Sequence, residues 1–345
     1  MSLVGVPRIT REAAVSYRLR VNHLVARLTA GSYEDAAYVG LQDTAPRDAV
    51  LGMHARVAGC DPDAWQYPSL IQTYSPRGAV YVLPRKDFGI FTLGRLPLAA
   101  DVVRRIEVAA DKVCRELGGR ELRGGRGRDL RFGCASGRIA LRWTTSALWV
   151  REVPRPDVDI GEARTELCRR HVHRFAPTTP NTFAWWAGLS AADARQVWTS
   201  LSGELLEVDF DGTPAWILQA DETRIVEASA LHGVRLLVAP DLRLFGRDSD
   251  GRFIGPGKRP LSPAADSFHP NGILVDGRTV GAWGRRGSRV DVVLTEHLTP
   301  AHDDALTAEV AAFPIRGAAL SLSLRFISDL TRSASFQSPE WENCL

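Results

Sequence analysis

The 345-residue sequence is poor in lysine: Lys86, Lys112 and Lys258 stand against 40 arginines among its 43 basic residues. It has no apolar run near the roughly 20 residues that a membrane helix requires. The N-terminus, MSLVGVPRIT, lacks a basic stretch followed by an apolar one, so a secretory leader is not expected. A cytoplasmic protein without a membrane partner is the expectation. Five scattered cysteines (Cys60, Cys114, Cys134, Cys168, Cys344) fit a reducing compartment and give no zinc-ribbon spacing. Cys168, His171 and His173 share one predicted helix, but their spacing turns them to different sides and no fourth ligand has a recognised spacing. A basic helix with Arg169, Arg170 and Arg174 is the better reading. The GxSxG, HExxH and P-loop patterns are also missing, which removes the common routes to a serine nucleophile, a helix-borne zinc site or a phosphate cradle.

Hydrophobic residues make up 45% of the chain and charged residues 24%, which suits a protein with a proper core. Its length predicts two or three packed subdomains. The net charge of +3 does not by itself point to a polyanion. The arginine bias follows from a GC-rich genome, although the planar, bidentate guanidinium also suits phosphate.

The pattern along the chain predicts an α+β protein. A helix is expected from Thr10 with an apolar stripe through Val15, Leu19, Leu24 and Leu28, then a short helix to Val39. The turn Gly40–Ala45 precedes a helix opened by Pro46 and running to about Ala58, and Gly78–Leu83 has strand character. Asp101 is expected to cap a second long helix, lined by Val102, Ile106, Val113 and Leu117. A strand pair spans Ile139–Val153, and Pro154-Arg155-Pro156 reads as a linker. Helices over Glu162–Phe175, Thr182–Ala187 and from the capping box Ser190–Asp193 lead into a hairpin, Leu205–Phe210 and Pro214–Leu218. Helix, helix, turn, helix and hairpin is the order of a winged helix. The expected units are 8–97, 98–156 and 157–220, each a winged helix, then a β-rich region, 221–332, and a frayed tail, 333–345. In the β-rich region, strands at Leu236–Val238, Gly272–Trp283 and Ala318–Phe326 flank a Pro/Gly-rich loop, Gly255–Pro263. A helix from Thr299 to Phe313 has Asp303 and Asp304 in its first turn.

Three short segments are candidates for function. Gly124–Arg128 is a basic glycine-rich loop, either touching a phosphate backbone through Arg126 and Arg128 or uninvolved. Gly284–Arg289 places Arg285, Arg286 and Arg289 at a hairpin tip suited to entering a groove, or else simply solvated. In Gln42-Asp43-Thr44, the last two residues are ordinary capping residues before a helix.

The segment Tyr38–Arg47, continued by Leu51-Gly52-Met53-His54-Ala55-Arg56, resembles the winged-helix DNA glycosylase family that includes the AlkZ and YcaQ proteins. Four further segments resemble it in order: Tyr17–Arg20 with His23-Leu24; Arg77–Pro84 with Asp87; Ala176–Ser190; and Asp241–Arg247 with Leu274–Trp283. The resemblance implies three tandem winged-helix units around a concave DNA-binding channel. It implies a monofunctional enzyme that excises alkylated purines, often bulky N7 adducts, for repair or for self-resistance in antibiotic producers. The implied partner is double-stranded DNA carrying alkylated purines, bound by a monomer without cofactor or metal. The family's catalytic motif is Gln, an apolar residue, then Gln or Asp. Gln42 matches its first position, Asp43 stands in the apolar position and Thr44 in the third. His54 replaces a tryptophan in the adjoining pocket. Arg20, Arg47, Arg77, Arg126, Arg128, Arg285, Arg286 and Arg289 are the expected DNA-contacting residues. A non-catalytic winged-helix protein that binds DNA or sequesters adducts is the alternative. Asp43 either faces the channel as a base or caps the following helix, leaving Gln42 alone.

Overall fold

The computed structural model describes residues 5–43, 47–124, 127–226, 232–241, 271–316 and 320–326. A two-residue strand, β1 (Arg8–Ile9), leads into α1 (Arg11–Val21), whose first turn is capped by the Thr10 hydroxyl accepting from Ala13 N at 3.2 Å. The helix ends well short of Leu28. The Asn22 amide donates to the carbonyls of Arg18 and Arg174, and His23 takes φ +58°, so the chain turns away at the point where the apolar spacing suggested continuation. After α2 (Tyr33–Ala36) come β2 (Leu41–Gln42), α3 (Asp48–Arg56), β3 (Leu70–Ser75), β4 (Ala79–Pro84) and α4 (Phe88–Thr92). Helix α3 sets Ala49, Val50 and Met53 against Leu41, Trp65, Leu70 and Val82 in one core cluster. Gly40, at φ +76°, lets β2 lie beside β4: a Cβ there would stand 2.7 Å from Leu83 and 2.8 Å from Tyr81.

The long helix α5 (Ala100–Leu117) starts one residue before Asp101, which therefore sits in its first turn rather than at its cap. It is followed by β5 (Leu122–Arg123), α6 (Arg128–Gly133), β6 (Ile139–Trp143) and β7 (Leu148–Glu152). Ala110, Val113, Cys114 and Leu117 of α5 pack on Tyr74, Val80, Ile139, Leu141 and Val150. One six-stranded sheet, ordered β2-β4-β3-β6-β7-β5, holds all of these strands. Residues on both sides of the expected 97/98 boundary therefore share a sheet, joined where Gln72 of β3 pairs with Leu141 of β6.

Next come α7 (Ile160–Phe175), α8 (Pro180–Ala187), α9 (Ala191–Ser200), the hairpin β8 (Leu205–Phe210) and β9 (Thr213–Leu218), and α10 (Glu222–Val226). Side-chain oxygens of Asp159, Thr179 and Ser190 cap the three long helices. Strand β1 adds to this hairpin in parallel, Arg8 against Asp209 and Ile9 against Phe210. Ile9, Ala14 and Tyr17 are buried with Val208, Phe210, Ala215 and Ile217. The expectation placed residues 8–28 with the first unit; packing places β1 and α1 with the third group of helices. A pairing across 200 residues leaves no local pattern to read.

These elements form one compact unit, Met1–Ala230, and a second covers Leu231–Leu345. In the second, β10 (Val234–Leu237), β11 (Asn271–Val275), β12 (Arg278–Arg286), β13 (Arg289–Leu294) and β14 (Ser321–Phe326) form a sheet in that order. Helix α11 (Pro300–Ala311) connects the parallel pair β13 and β14 and buries Leu306 and Val310. The hairpin β12–β13 is tighter than the six-residue turn expected, with Arg286 and Arg289 directly paired. The loop Gly255–Pro263, the segment 242–247 and the tail from Ser333 lie outside the described residues.

Tyr17 ties α1 to the third helical group through burial and a 2.7 Å hydrogen bond from its hydroxyl to His173 O. Tyr17→Ala should cost about 3–5 kcal/mol of unfolding free energy in urea. Tyr17→Phe, which removes only the hydroxyl, should cost about 1 kcal/mol. Equal losses in the two variants would contradict this packing.

Candidate functional site

Gln42 and Asp43 lie at the edge of the six-stranded sheet. Backbone pairing of Gln42 with Tyr81 fixes β2 on β4, and Asp43 N extends the ladder to Val80 O at 2.8 Å. Consecutive side chains of an extended strand point oppositely. Gln42 retains slight exposure at 9%, and the Tyr81 hydroxyl donates to its Oε1 at 3.5 Å. Asp43 is fully enclosed.

Both oxygens of the Asp43 carboxylate are engaged. Oδ1 accepts from Arg47 N at 2.8 Å and from Ala49 N at 3.1 Å, satisfying free N–H groups where α3 begins. Oδ2 accepts from Gln72 Nε2 at 3.1 Å and lies 3.8 Å from the Arg47 guanidinium. The Gln72 amide is oriented in turn, because its Oε1 takes the Trp143 N–H at 2.7 Å. Trp143 O accepts from Arg47 Nη1 at 3.1 Å, and that guanidinium stacks 3.7 Å above the Trp65 ring. The ring Asp43–Gln72–Trp143–Arg47 thereby joins β2, β3, β6 and the start of α3. Burial raises the Asp43 carboxyl to about 6 against the opposing pull of Ala49 N–H, the Arg47 charge and N–H, and Gln72. It is therefore mostly ionised at neutral pH, as three donors demand.

Of the two roles open for Asp43, the geometry is that of the helix-capping residue, and its enclosure leaves neither oxygen open to solvent. Thr44 lies outside the described residues. His54 is buried in α3, and its carbonyl accepts from Arg27 Nε at 2.9 Å.

Most of the described arginines singled out from sequence have separate partners within their own units. Arg47 belongs to the ring just described. Arg20 donates to Arg224 O at 2.7 Å, and Arg77, at φ +59°, stacks 4.2 Å over Trp185. Arg126 lies outside the described residues, whereas Arg128 opens α6 and is exposed. In the second unit, Arg285 donates to Gly287 O and Arg289 pairs with Asp291, beside the exposed Arg286. Cys168, His171 and His173 diverge as well. Cys168 is buried, His171 shares its Nε2 with the Thr178 hydroxyl among Phe175, Phe183 and Trp186, and His173 contacts Asp221 at 2.8 Å. Among the described residues, no three His, Cys, Asp or Glu side chains are grouped to hold a metal. No helix of the described residues is long and apolar enough to cross a membrane.

Sequence reasoning missed Gln72 and Tyr81. A signal for Gln72 existed: it is an amide within the wholly buried strand Leu70–Ser75, and a buried polar side chain requires partners.

Gln72→Ala would strand the Trp143 N–H and one Asp43 oxygen, an expected loss of about 2–4 kcal/mol by chemical denaturation. Because the folded Asp43 carboxyl titrates above its ordinary value of 3.8, its stabilising contribution is full below about pH 4 and is lost as pH rises through about 6. The stability of the wild type relative to Asp43→Asn should therefore grow as pH falls from 7 to 4. A constant gap would contradict the assignment.

Comparison with known proteins adds three findings. The family model described as "DNA glycosylase AlkZ-like" matches residues 125–314. An interstrand DNA cross-link repair glycosylase of Streptomyces sahachiroi is 27% identical over 136 residues, 38% of this chain. That alignment spans only 36% of the relative's length. The solved structure of the Streptomyces sahachiroi DNA glycosylase AlkZ superposes with a TM-score of 0.73 at 18% identity, covering 93% of this chain and all of that one. The structural match establishes a shared fold. The family model extends over more than half of the sequence, and the chain accordingly belongs to the AlkZ-like DNA glycosylase family.

Proposed function

We propose that this protein is a monofunctional DNA glycosylase that hydrolyses the N-glycosidic bond of alkylated purines, bulky N7-guanine adducts included, in DNA repair or genotoxin self-resistance. The observation carrying this reading is Gln42, held by Tyr81 at a sheet edge beside an enclosed, ionised carboxylate, in a chain of this family. We read α7, α8, α9 and the β8–β9 hairpin as a winged helix, with related units preceding it around a DNA channel. The working unit is a cytoplasmic monomer, and its partner is double-stranded DNA containing the damaged base.

An N7-alkylated purine is cationic and leaves readily. Hydrolysis then requires a water placed at C1′ and stabilisation of a sugar that becomes positive as the bond breaks. The Gln42 amide offers the water both an acceptor and a donor, with Tyr81 limiting its rotation. Asp43 is spent on capping, so it serves as a fixed charge that favours the developing cation and not as a proton acceptor; Arg47 partly offsets that charge. Thr44 contributes at most one hydroxyl. Arg20, Arg77, Arg126, Arg128, Arg285, Arg286 and Arg289 meet the phosphate backbone, and His54 shapes the pocket floor.

The engagement of Asp43 as a cap favours one competing reading, a non-catalytic protein that binds DNA or holds adducts. Release of N7-alkylguanine from duplex DNA separates the two. The glycosylase reading expects measurable release by the wild type and at least a tenfold loss in Gln42→Ala, about 1.4 kcal/mol of transition-state stabilisation. Salt-dependent binding without release, unaffected by Gln42→Ala, supports the alternative.

A further inference from the structure

Outside the ring around Asp43, one buried arginine has no carboxylate partner among the described residues. Arg170 and Arg174 lie one turn apart on α7, and both guanidiniums cover the Tyr38 ring, at 4.4 and 4.7 Å. Their surroundings differ. Arg170 is fully compensated, with two bonds to Asp87 at 2.7 and 3.0 Å and one to Glu166 at 2.8 Å. Arg174 is only 6% exposed, has no carboxylate partner among the described residues, and makes a single long contact, from Nη2 to Asp35 O at 3.5 Å. Its Nε is buried without a hydrogen-bond partner.

Other basic groups crowd it. The segment after α1 runs from α7 to α3: the Asn22 amide donates to Arg174 O at 2.9 Å, and Leu28 N donates to Arg56 O at 2.8 Å. His23 lies on this segment, and Arg56 at the end of α3 is 4% exposed. Burial and then the Arg56 charge lower the Arg174 guanidinium to about 10, against weaker pulls from Tyr38, Tyr17 and Asp35. Burial, Arg174 and Arg56 lower His23 to about 4, opposed by Asp35. A buried charge is tolerated when paired. Here a cation is withdrawn from water beside a second guanidinium, and among the described residues no carboxylate pairs with it and nothing accepts from its Nε.

We propose that Arg174, with Arg56 and His23, forms an anion site that takes one phosphate group, supplied in the working protein by the backbone of bound nucleic acid. Guanidinium groups prefer phosphate to a spherical anion because of their planar fork. Only the choice of nucleic acid as the phosphate source rests on the function proposed above; the site itself rests on the charge imbalance. None of the DNA-contacting arginines expected from sequence belongs to it.

The test compares wild type with Arg174→Met in two measurements. Thermal unfolding is followed in inorganic phosphate and in chloride at matched ionic strength. In chloride the variant should melt no lower than wild type, because removing an uncompensated buried charge is neutral or stabilising. Phosphate should raise the melting temperature of wild type but not of the variant. Binding of an undamaged labelled duplex is then titrated against KCl, and the slope of log K on log salt should be shallower in the variant by about 0.9. A phosphate shift lost in the variant, with no duplex binding by wild type, supports the site with free phosphate as its source and counts against the DNA reading alone. Identical phosphate shifts and identical slopes in the two proteins overturn the proposal. So does a melting temperature depressed in chloride and responding to phosphate as wild type does. Should Arg174→Met fail to fold, Arg174→Lys, which keeps the charge and loses the planar fork, must reduce the phosphate shift; an unchanged shift overturns the site.

Discussion

The enclosed carboxylate of Asp43 is the constraint around which the first unit is arranged. Its two oxygens receive N–H groups from the start of α3 and from Gln72 on β3, and Gln72 reaches on to the backbone of β6. Elements as far apart in sequence as β2 and β6 thus share one hydrogen-bond network. Ionised aspartate fits because both of its oxygens must accept: asparagine would set a donor against Gln72 Nε2, and Trp143 prevents that amide from flipping. The cost is desolvation, visible in the raised titration of the carboxyl. A network of this kind specifies one arrangement, since any slip leaves several buried groups unsatisfied together.

This arrangement gives Gln42 and Asp43 different tasks although they are neighbours. Alternation along the strand turns the two side chains opposite ways: Asp43 is fully enclosed, and Gln42, itself buried on the edge strand of the sheet, is held by Tyr81. In the family motif that this turn resembles, the middle position is apolar, and Asp43 occupies the buried direction that an apolar side chain would take. At that position the chain holds a capped charge in place of apolar burial.

The arginine bias also has a structural use. Arg47 stacks on Trp65, Arg77 on Trp185, and Arg142 lies over Trp149 while gripping Glu121 with two nitrogens. Arg170 bridges two carboxylates and a tyrosine face. Each arrangement uses the flat guanidinium, which stacks on a ring or grips two acceptors in a way that lysine's compact charge does not match. Many of the arginines are therefore fold-building residues, and a small net charge is compatible with a local excess of positive charge such as that at Arg174.

The sequence by itself determined the long helices and the β8–β9 hairpin to within a few residues, because these depend on near neighbours: Ser190 capping α9, alternation through β8 and β9. It located the Gln42-Asp43 turn and, through resemblance, the family. Only the tertiary structure decided what the turn does with its carboxylate, that β1 and α1 join the hairpin 200 residues away, and that residues 8–97 and 98–156 share a sheet. It also separated arginines held by carboxylates from Arg174, which has no carboxylate partner among the described residues. Pairing and burial are properties of groups brought together from remote positions, and local periodicity carries no record of them.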